Sequence, residues 1–272
     1  MIMRRFSAPA LKLPIVLFIG CSALAPKVEA QTSAVEGGRT PVVVELFTSE
    51  GCSSCPPADA LLQKLQALQP VAGAEIIPLE EHVDYWNHDG WVDPYSSPEW
   101  TQRQQTYVTL IGKDAYTPEL VVDGHTQLSG NNPQLAAGEI EKAAHGLKTG
   151  VSITTASPNG KNSRQFHVSV GKLAGNTAGD VAEVWLAVTE DGLHSPVSRG
   201  ENAGHLLQHV ATVRSFHKIG VADAGGGSES FTGDPAVKFN SHWDVDNLHV
   251  TIFVQERKSR VILGAASTKI KG

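Results

Sequence analysis

Cys52 and Cys55 are separated by two serines, and they are the only cysteines after position 30. Where such a pair sits in the first turn of a helix, the three-residue step returns the second sulfur to the side of the first. That arrangement suits thiol–disulfide exchange, with Cys52 attacking and Cys55 resolving the mixed disulfide. The attacking species is the thiolate, and unpaired backbone N–H groups and the dipole at a helix N-terminus favour it over a thiol of ordinary pKa near 8.5. Pro56 and Pro57 follow directly, and prolines are tolerated in a first turn because those N–H groups lack intrahelical partners. Glu50 works the other way, since a nearby carboxylate disfavours a thiolate. An inert disulfide is the plainer alternative, but so short a loop removes little entropy from the unfolded chain. No metal is expected at this pair: a structural zinc site takes four ligands, and there is no second cysteine pair. The nearby His82, Asp84, His88 and Asp89 have no ligand-like spacing.

The elements that must position this pair follow from local patterns. Pro41–Phe47 is a β-branched run of strand length, and Leu61, Leu65 and Leu68 recur at helical spacing within Ala58–Leu68. Ala74–Leu79 reads as a second strand. Ser97–Ile111 reads as a helix with Ser97 as N-cap, Pro98 first and Glu99 in the first turn. Leu120–Val122 and Thr126–Leu128 flank the turn signal Asp123-Gly124, and Gln134–His145 is a final helix. The order is β-α-β-α-β-β-α. From Val151 onward strand patterns dominate, at Ser152–Thr155, Gln165–Val170, Ala182–Val188, Leu206–Phe216, Val237–Trp243, Leu248–Gln255 and Arg260–Ala266. Strands at this spacing, punctuated by Gly, Asn, Asp and Pro, suggest an antiparallel sandwich. The expected organisation is a signal peptide over 1–30, a flexible N-terminus over 31–40, an α/β domain over 41–148 and a β-sandwich-like domain over 149–272.

Arg4 and Arg5 precede an apolar run from Leu11 toward Ala25, and Val28-Glu29-Ala30 ends as a signal-peptidase site does. Lys12 and Pro14 interrupt that run, so it is not a membrane span. Cleavage near Ala30 predicts a periplasmic or secreted protein. Lipid attachment at Cys21 is a weaker reading, because Phe18 fits that pattern poorly. Four basic residues and one acidic residue leave with the segment, and 18 basic and 27 acidic residues remain, a net charge of −9. No basic stripe is left to recruit nucleic acid or anionic lipid. An exported compartment is oxidising, so Cys52 and Cys55 are expected either as a disulfide or cycling through one.

Two further stretches stand out. His82–Trp100 gathers His82, Asp84, Tyr85, Trp86, His88, Trp91, Asp93 and Tyr95, an aromatic-rich loop that either walls the cysteine pair or packs on itself. Trp86 and Trp91 are its candidate lid residues, and His82 or Asp84 its candidate proton acceptor for Cys55. Ser198–His205 suits a tight structural loop or an interdomain contact. His205, His209 and His217 are expected at the surface or an interface rather than as metal ligands.

The strand, the CSSC sequence, the helix and Tyr116-Thr117-Pro118-Glu119-Leu120-Val121-Val122 together resemble the thioredoxin superfamily. The resemblance implies that Pro118 is a cis proline facing the cysteines and that Thr117 offers its backbone to an extended substrate. More narrowly, Glu45–Asp59, His82–Trp86, Gly90-Trp91, Arg103-Gln104 and Arg199–Gly204 resemble a bacterial family of secreted thioredoxin-like proteins with no assigned function. The expectation is a thioredoxin-like α/β domain followed by a mostly antiparallel β-sandwich. It would act as an exported thiol–disulfide oxidoreductase on protein or small-molecule thiols, with an unidentified redox partner and no cofactor beyond its own disulfide. No Trp precedes Cys52 and Ser53-Ser54 is not a reductase-type dipeptide, so a thioredoxin-like potential does not follow. The alternatives are a non-catalytic binding module of the cell envelope and a copper-handling protein using both thiolates.

Overall fold

Strand β1 (Thr40–Thr48) runs through the centre of one face-to-face core because Val42, Val44 and Leu46 point to one side of it and Val43 to the other. The computed structural model describes Ile2 and residues 38–158 and 162–270; the signal segment, its cleavage point, Cys21 and residues 31–37 lie outside these. After β1 come α1 (Pro56–Leu68), β2 (Ala74–His82), α2 (Pro98–Ile111), β3 (Glu119–Val122), β4 (Thr126–Ser129) and α3 (Pro133–Ala144). The remaining elements are strands: β5 (Val151–Pro158), β6 (Ser163–Gly171), β7 (Ala182–Glu190), β8 (Leu193–Pro196), β9 (Leu206–His209), β10 (Thr212–Ala222), β11 (Glu229–Gly233), β12 (Ala236–Lys238), β13 (Leu248–Glu256) and β14 (Ile262–Lys269).

An eight-stranded mixed sheet in the order β14-β13-β7-β10-β2-β1-β3-β4 contains strands from both sides of residue 148. A four-stranded antiparallel sheet (β11, β6, β12, β5) and the β8–β9 pair complete the described strands. Val42, Val44 and Leu46 bury against Leu62 and Leu65 of α1 and Ala136 and Ile140 of α3. Val43, Ile77 and Leu79 pack on the opposite side with Trp100 of α2 and Phe253 of β13. A third core joins Phe166 and Val168 of β6 to Val184 and Leu186 of β7 and Ile252 of β13, so the smaller sheet covers a face of the larger one.

Within the large sheet the halves pair at a single parallel ladder position, Thr212 opposite Glu80, and Ile262 N–H donates to Asp123 O at 2.9 Å beyond it. Before Glu80, β2 has no strand on that side among the described residues. Ile76 instead donates its N–H to Gln69 Oε1 at 2.7 Å, and Glu80 donates to the Ala211 carbonyl at 2.9 Å. Pro78 lies between them on the same edge, where a missing N–H breaks no ladder bond.

Local signals explain most boundaries. Ser97 Oγ accepts from Glu99 N as the α2 N-cap, and Asn132 Oδ1 accepts from Leu135 N at α3. The stretch Leu206–Phe216, expected as one strand, is two. At Ala211 (φ 49°) the chain leaves β9, which pairs with β8, and enters β10 in the large sheet. The Ala211 N–H is held by Asp191 Oδ1 at 2.8 Å, so a side chain rather than a turn residue fixes the break. Val237–Trp243 shortens to Ala236–Lys238, and β8 and β11 are strands the pattern did not mark. Regular helix in α1 begins at Pro56, two residues before the leucine pattern.

Asp123 (φ 49°) and Gly124 (φ 68°) make the tight β3–β4 turn, both in the left-handed region that such hairpins need. A Cβ on Gly124 would also run into the Arg260 carbonyl. Gly124→Ala is therefore expected to destabilise the fold by more than about 1 kcal/mol, read as a lower urea midpoint; an unchanged midpoint would mean the turn relaxes freely.

Candidate active site at the CSSC turn

β1 ends at Thr48 and delivers Ser49–Cys52 into a tight turn, with Cys52 N–H donating to Ser49 O at 3.1 Å. Cys55 N–H donates to Cys52 O at 3.2 Å, and Cys55 occupies the N-cap of α1. The two cysteines form a disulfide across this turn with a Cα–Cα distance of 5.5 Å. Cys52 thus stands one turn ahead of the regular helix rather than inside it.

Both cysteines are enclosed: Cys52 is 1% exposed and Cys55 0%, while Ser53 and Ser54 are exposed. The cover comes from three directions. Asn202, itself buried, donates from Nδ2 to the carbonyls of Glu50 (2.8 Å) and Cys52 (3.0 Å). Ser53 N–H donates to Glu201 Oε2, and Asn131 Nδ2 to Ser54 O at 2.9 Å. Trp86 closes on Gly51, where a Cβ would meet Trp86 Cβ at 3.0 Å, so glycine permits the approach. The Arg199–Gly204 loop, legible only as a structural turn or contact, therefore lies directly on the cysteine turn.

The structure brings several of the proposed site residues together. Trp86 Nε1 donates to Thr117 Oγ1 at 2.8 Å, linking the residue that packs on Gly51 to Thr117. The Thr117–Pro118 peptide is cis, and Pro118 O accepts from Gly130 N–H. Trp91 Nε1 donates to Glu50 Oε2 at 2.7 Å. Asp84 lies elsewhere: its Oδ1 accepts from Thr101 Oγ1 at 2.6 Å. Among the described residues neither Asp84 nor His82 hydrogen-bonds to a cysteine. Position in sequence suggested both; their partners across the fold use them differently.

Behind the turn lies a cluster of buried ionisable side chains. His209 sits between two carboxylates, Nε2 at 3.1 Å from Glu50 Oε1 and Nδ1 at 3.1 Å from Glu80 Oε1. His82 Nδ1 is 2.7 Å from Asp93 Oδ2, and its Nε2 faces Glu80 Oε2 at 3.6 Å with no hydrogen-bond partner among the described residues. Thr212 Oγ1 donates to Glu80 Oε2 at 2.9 Å. Ligand atoms of Glu80, His82 and His209 lie within 4.8 Å of one another. Burial alone would lower the His209 pKa, but the charge of Glu80 and the hydrogen bonds from Glu50 and Glu80 raise it to about 9. Burial would raise Glu80, yet the two histidines hold it down to about 2. His209 is thus a buried member of the seam, whereas His205 and His217 are exposed.

Asp59, which sequence reading passed over, completes this interior. It lies one turn beyond Cys55 on α1, its N–H donates to Cys55 O at 3.1 Å, and its Oδ1 accepts from Thr48 Oγ1 at 2.6 Å. Burial and then the charge of Glu80 raise its pKa to about 7, against the opposing pull of His209. The available signal was an acid on the leucine-bearing face of an amphipathic helix.

The chain belongs to the family described as protein of unknown function DUF1223, which matches residues 43–255. Two solved structures share the fold. One is a protein of Agrobacterium tumefaciens, 24% identical, covering 86% of this chain and 96% of that one with a TM-score of 0.64. The other is HBP35 of Porphyromonas gingivalis, 18% identical, covering 85% and 76% with a TM-score of 0.64. No curated protein matches the sequence. No helix among the described residues is long and apolar enough to cross a membrane.

A carboxyl whose folded pKa is raised from 3.8 to about 7 costs stability as pH rises through that interval, because the folded state holds the proton longer than the unfolded one. Asp59→Asn removes that ionisation while keeping an acceptor for Thr48. The variant should match the wild type near pH 4 and exceed it at pH 8 in denaturant midpoint. Parallel pH profiles for the two proteins would show that Asp59 ionises normally.

Proposed function

We propose that this protein is an exported thiol–disulfide oxidoreductase whose thioredoxin-like portion, residues 41–148, carries the chemistry. The observation that carries this reading is the Cys52–Cys55 disulfide in the turn that leads into α1. In the reduced form, the Cys52 thiolate attacks a client disulfide, forming a Cys52–client disulfide and expelling one client thiolate. The Cys55 thiolate then attacks the Cys52 sulfur, re-forming the Cys52–Cys55 disulfide and expelling the second client thiolate. The client gains two electrons and the protein loses two; the reverse sequence oxidises a client dithiol. Asp59 stands one turn beyond Cys55, with its N–H on the Cys55 carbonyl at 3.1 Å. Thr117 and Pro118 lie beside Trp86, where an extended client would run, and Trp86 and Trp91 wall the turn. Export rests on the Arg4-Arg5, apolar run and Ala30 pattern at the N-terminus.

Enclosure of both sulfurs favours one rival reading, a binding module in which the disulfide only shapes the surface formed by Ser53, Ser54 and Glu201. A redox titration in glutathione buffers with mass-tagged alkylation separates the two. The oxidoreductase reading expects Cys52 and Cys55 to exchange reversibly as a two-electron couple; a pair that never exchanges at any buffer ratio overturns it.

Attack on Cys52 requires the 199–205 loop to withdraw. Asn202→Ala leaves the Glu50 and Cys52 carbonyls without their shared donor, at about 1–3 kcal/mol. The expected result is a lower denaturant midpoint together with faster reduction of the disulfide by dithiothreitol. Reduction at the wild-type rate would show that this loop does not gate the sulfurs.

A further inference from the structure

The seam cluster has a feature that a closed network of ion pairs does not explain. His82 turns Nδ1 to Asp93 and His209 turns Nε2 to Glu50, so each ring is held by a carboxylate through one nitrogen. The remaining nitrogens, His82 Nε2 and His209 Nδ1, converge on the two oxygens of Glu80 at 3.6 and 3.1 Å. All three side chains are at least 99% buried, and the His82 Nε2 has no hydrogen-bond partner among the described residues. A buried, unpartnered ring nitrogen is destabilising unless something binds it.

We propose that Glu80, His82 and His209 form a binding site for a divalent first-row transition metal. Two imidazoles and one carboxylate are a ligand set used by zinc and by non-haem iron, and leave a further coordination position. Metal–ligand distances of about 2.0–2.2 Å place neighbouring tetrahedral ligand atoms about 3.4 Å apart, close to both spacings found here. Asp93 and Glu50 are the outer partners that such histidines require, fixing tautomer and ring orientation. Thr212 orients Glu80 in the same way. The Tyr95 ring covers both histidines edge-on, at 5.5 Å from His82 and 5.6 Å from His209, and is itself only half-buried. Tyr95 therefore marks the side from which an ion reaches the site. The two histidines lie 127 positions apart and come together only where β9 meets β2. Local spacing around His82, which gave no ligand pattern, could not show this.

The test is titration of the chelator-treated protein with Co(II), followed by optical and X-ray absorption. Expected are one equivalent bound per chain and a coordination shell of imidazole nitrogen and carboxylate oxygen without sulfur. The Cys52→Ser, Cys55→Ser double variant should bind as the wild type does, whatever the outcome for redox activity. Glu80→Gln and His209→Gln should abolish stoichiometric binding, and Asp93→Asn should weaken it about 10- to 100-fold. The proposal fails if the wild type binds no equivalent of Co(II), if sulfur appears in the shell, or if Glu80→Gln binds normally. Should a variant not fold, the wild-type stoichiometry and absorption still decide.

Discussion

In the backbone between β1 and α1 one buried residue, Glu50, has its polar atoms bound from three other parts of the chain. Its N–H donates to Asp93 Oδ2, its carbonyl accepts from Asn202, and its two carboxylate oxygens meet His209 and the Trp91 indole. A carboxylate taken fully out of water is tolerated only with such complete pairing. The cysteine turn begins two residues later, so its path depends on partners from the β2–α2 loop, the 199–205 loop and β9 being in place together. This constraint explains why the Arg199–Gly204 loop, far away in sequence, is part of the site's construction.

The same logic holds the two halves together. β10 contributes a single ladder position to β2, too little pairing to fix one half against the other. Side chains make up the difference. On one side, Glu80 of β2 is gripped by His209 and Thr212. On the other, Arg103 of α2 reaches Glu45 of β1 and Gln255 of β13, while Tyr107 donates to Glu45 and accepts from Gln255. Buried polar networks of this kind are costly when broken and geometrically demanding when intact. They specify the docking more sharply than the apolar contacts of Val43, Leu79 and Phe253, which would tolerate some sliding.

What could be read from the sequence was whatever neighbours in the chain decide. Ser97-Pro98, Asp123-Gly124 and the valines of β1 each carry their conformational instruction within a few residues, and the elements lie where those residues place them. The CSSC spacing likewise announced its own disulfide. The break at Ala211 was not legible, because it depends on Asp191, 20 residues earlier, capturing the Ala211 N–H. Nor was the role of His209, whose partners stand 129 and 159 residues away. One clue was present: Glu80, Glu81 and His82 end a strand that begins Ala-Glu-Ile-Ile-Pro-Leu, and consecutive charges inside a buried strand need distant partners.

Glu50 also bears on the conflict that its position raised. A carboxylate two residues before Cys52 should oppose a thiolate there, working against the start of α1. In the folded protein its oxygens are turned toward His209 and the Trp91 indole, at 3.1 and 2.7 Å. Both oxygens are thus engaged within about 3 Å, and a carboxylate held by donors projects a weaker field than a free one. Its partner His209 is shared with Glu80 of β2. The cysteine turn and the junction of β2 and β9 are in this way joined through a single side chain.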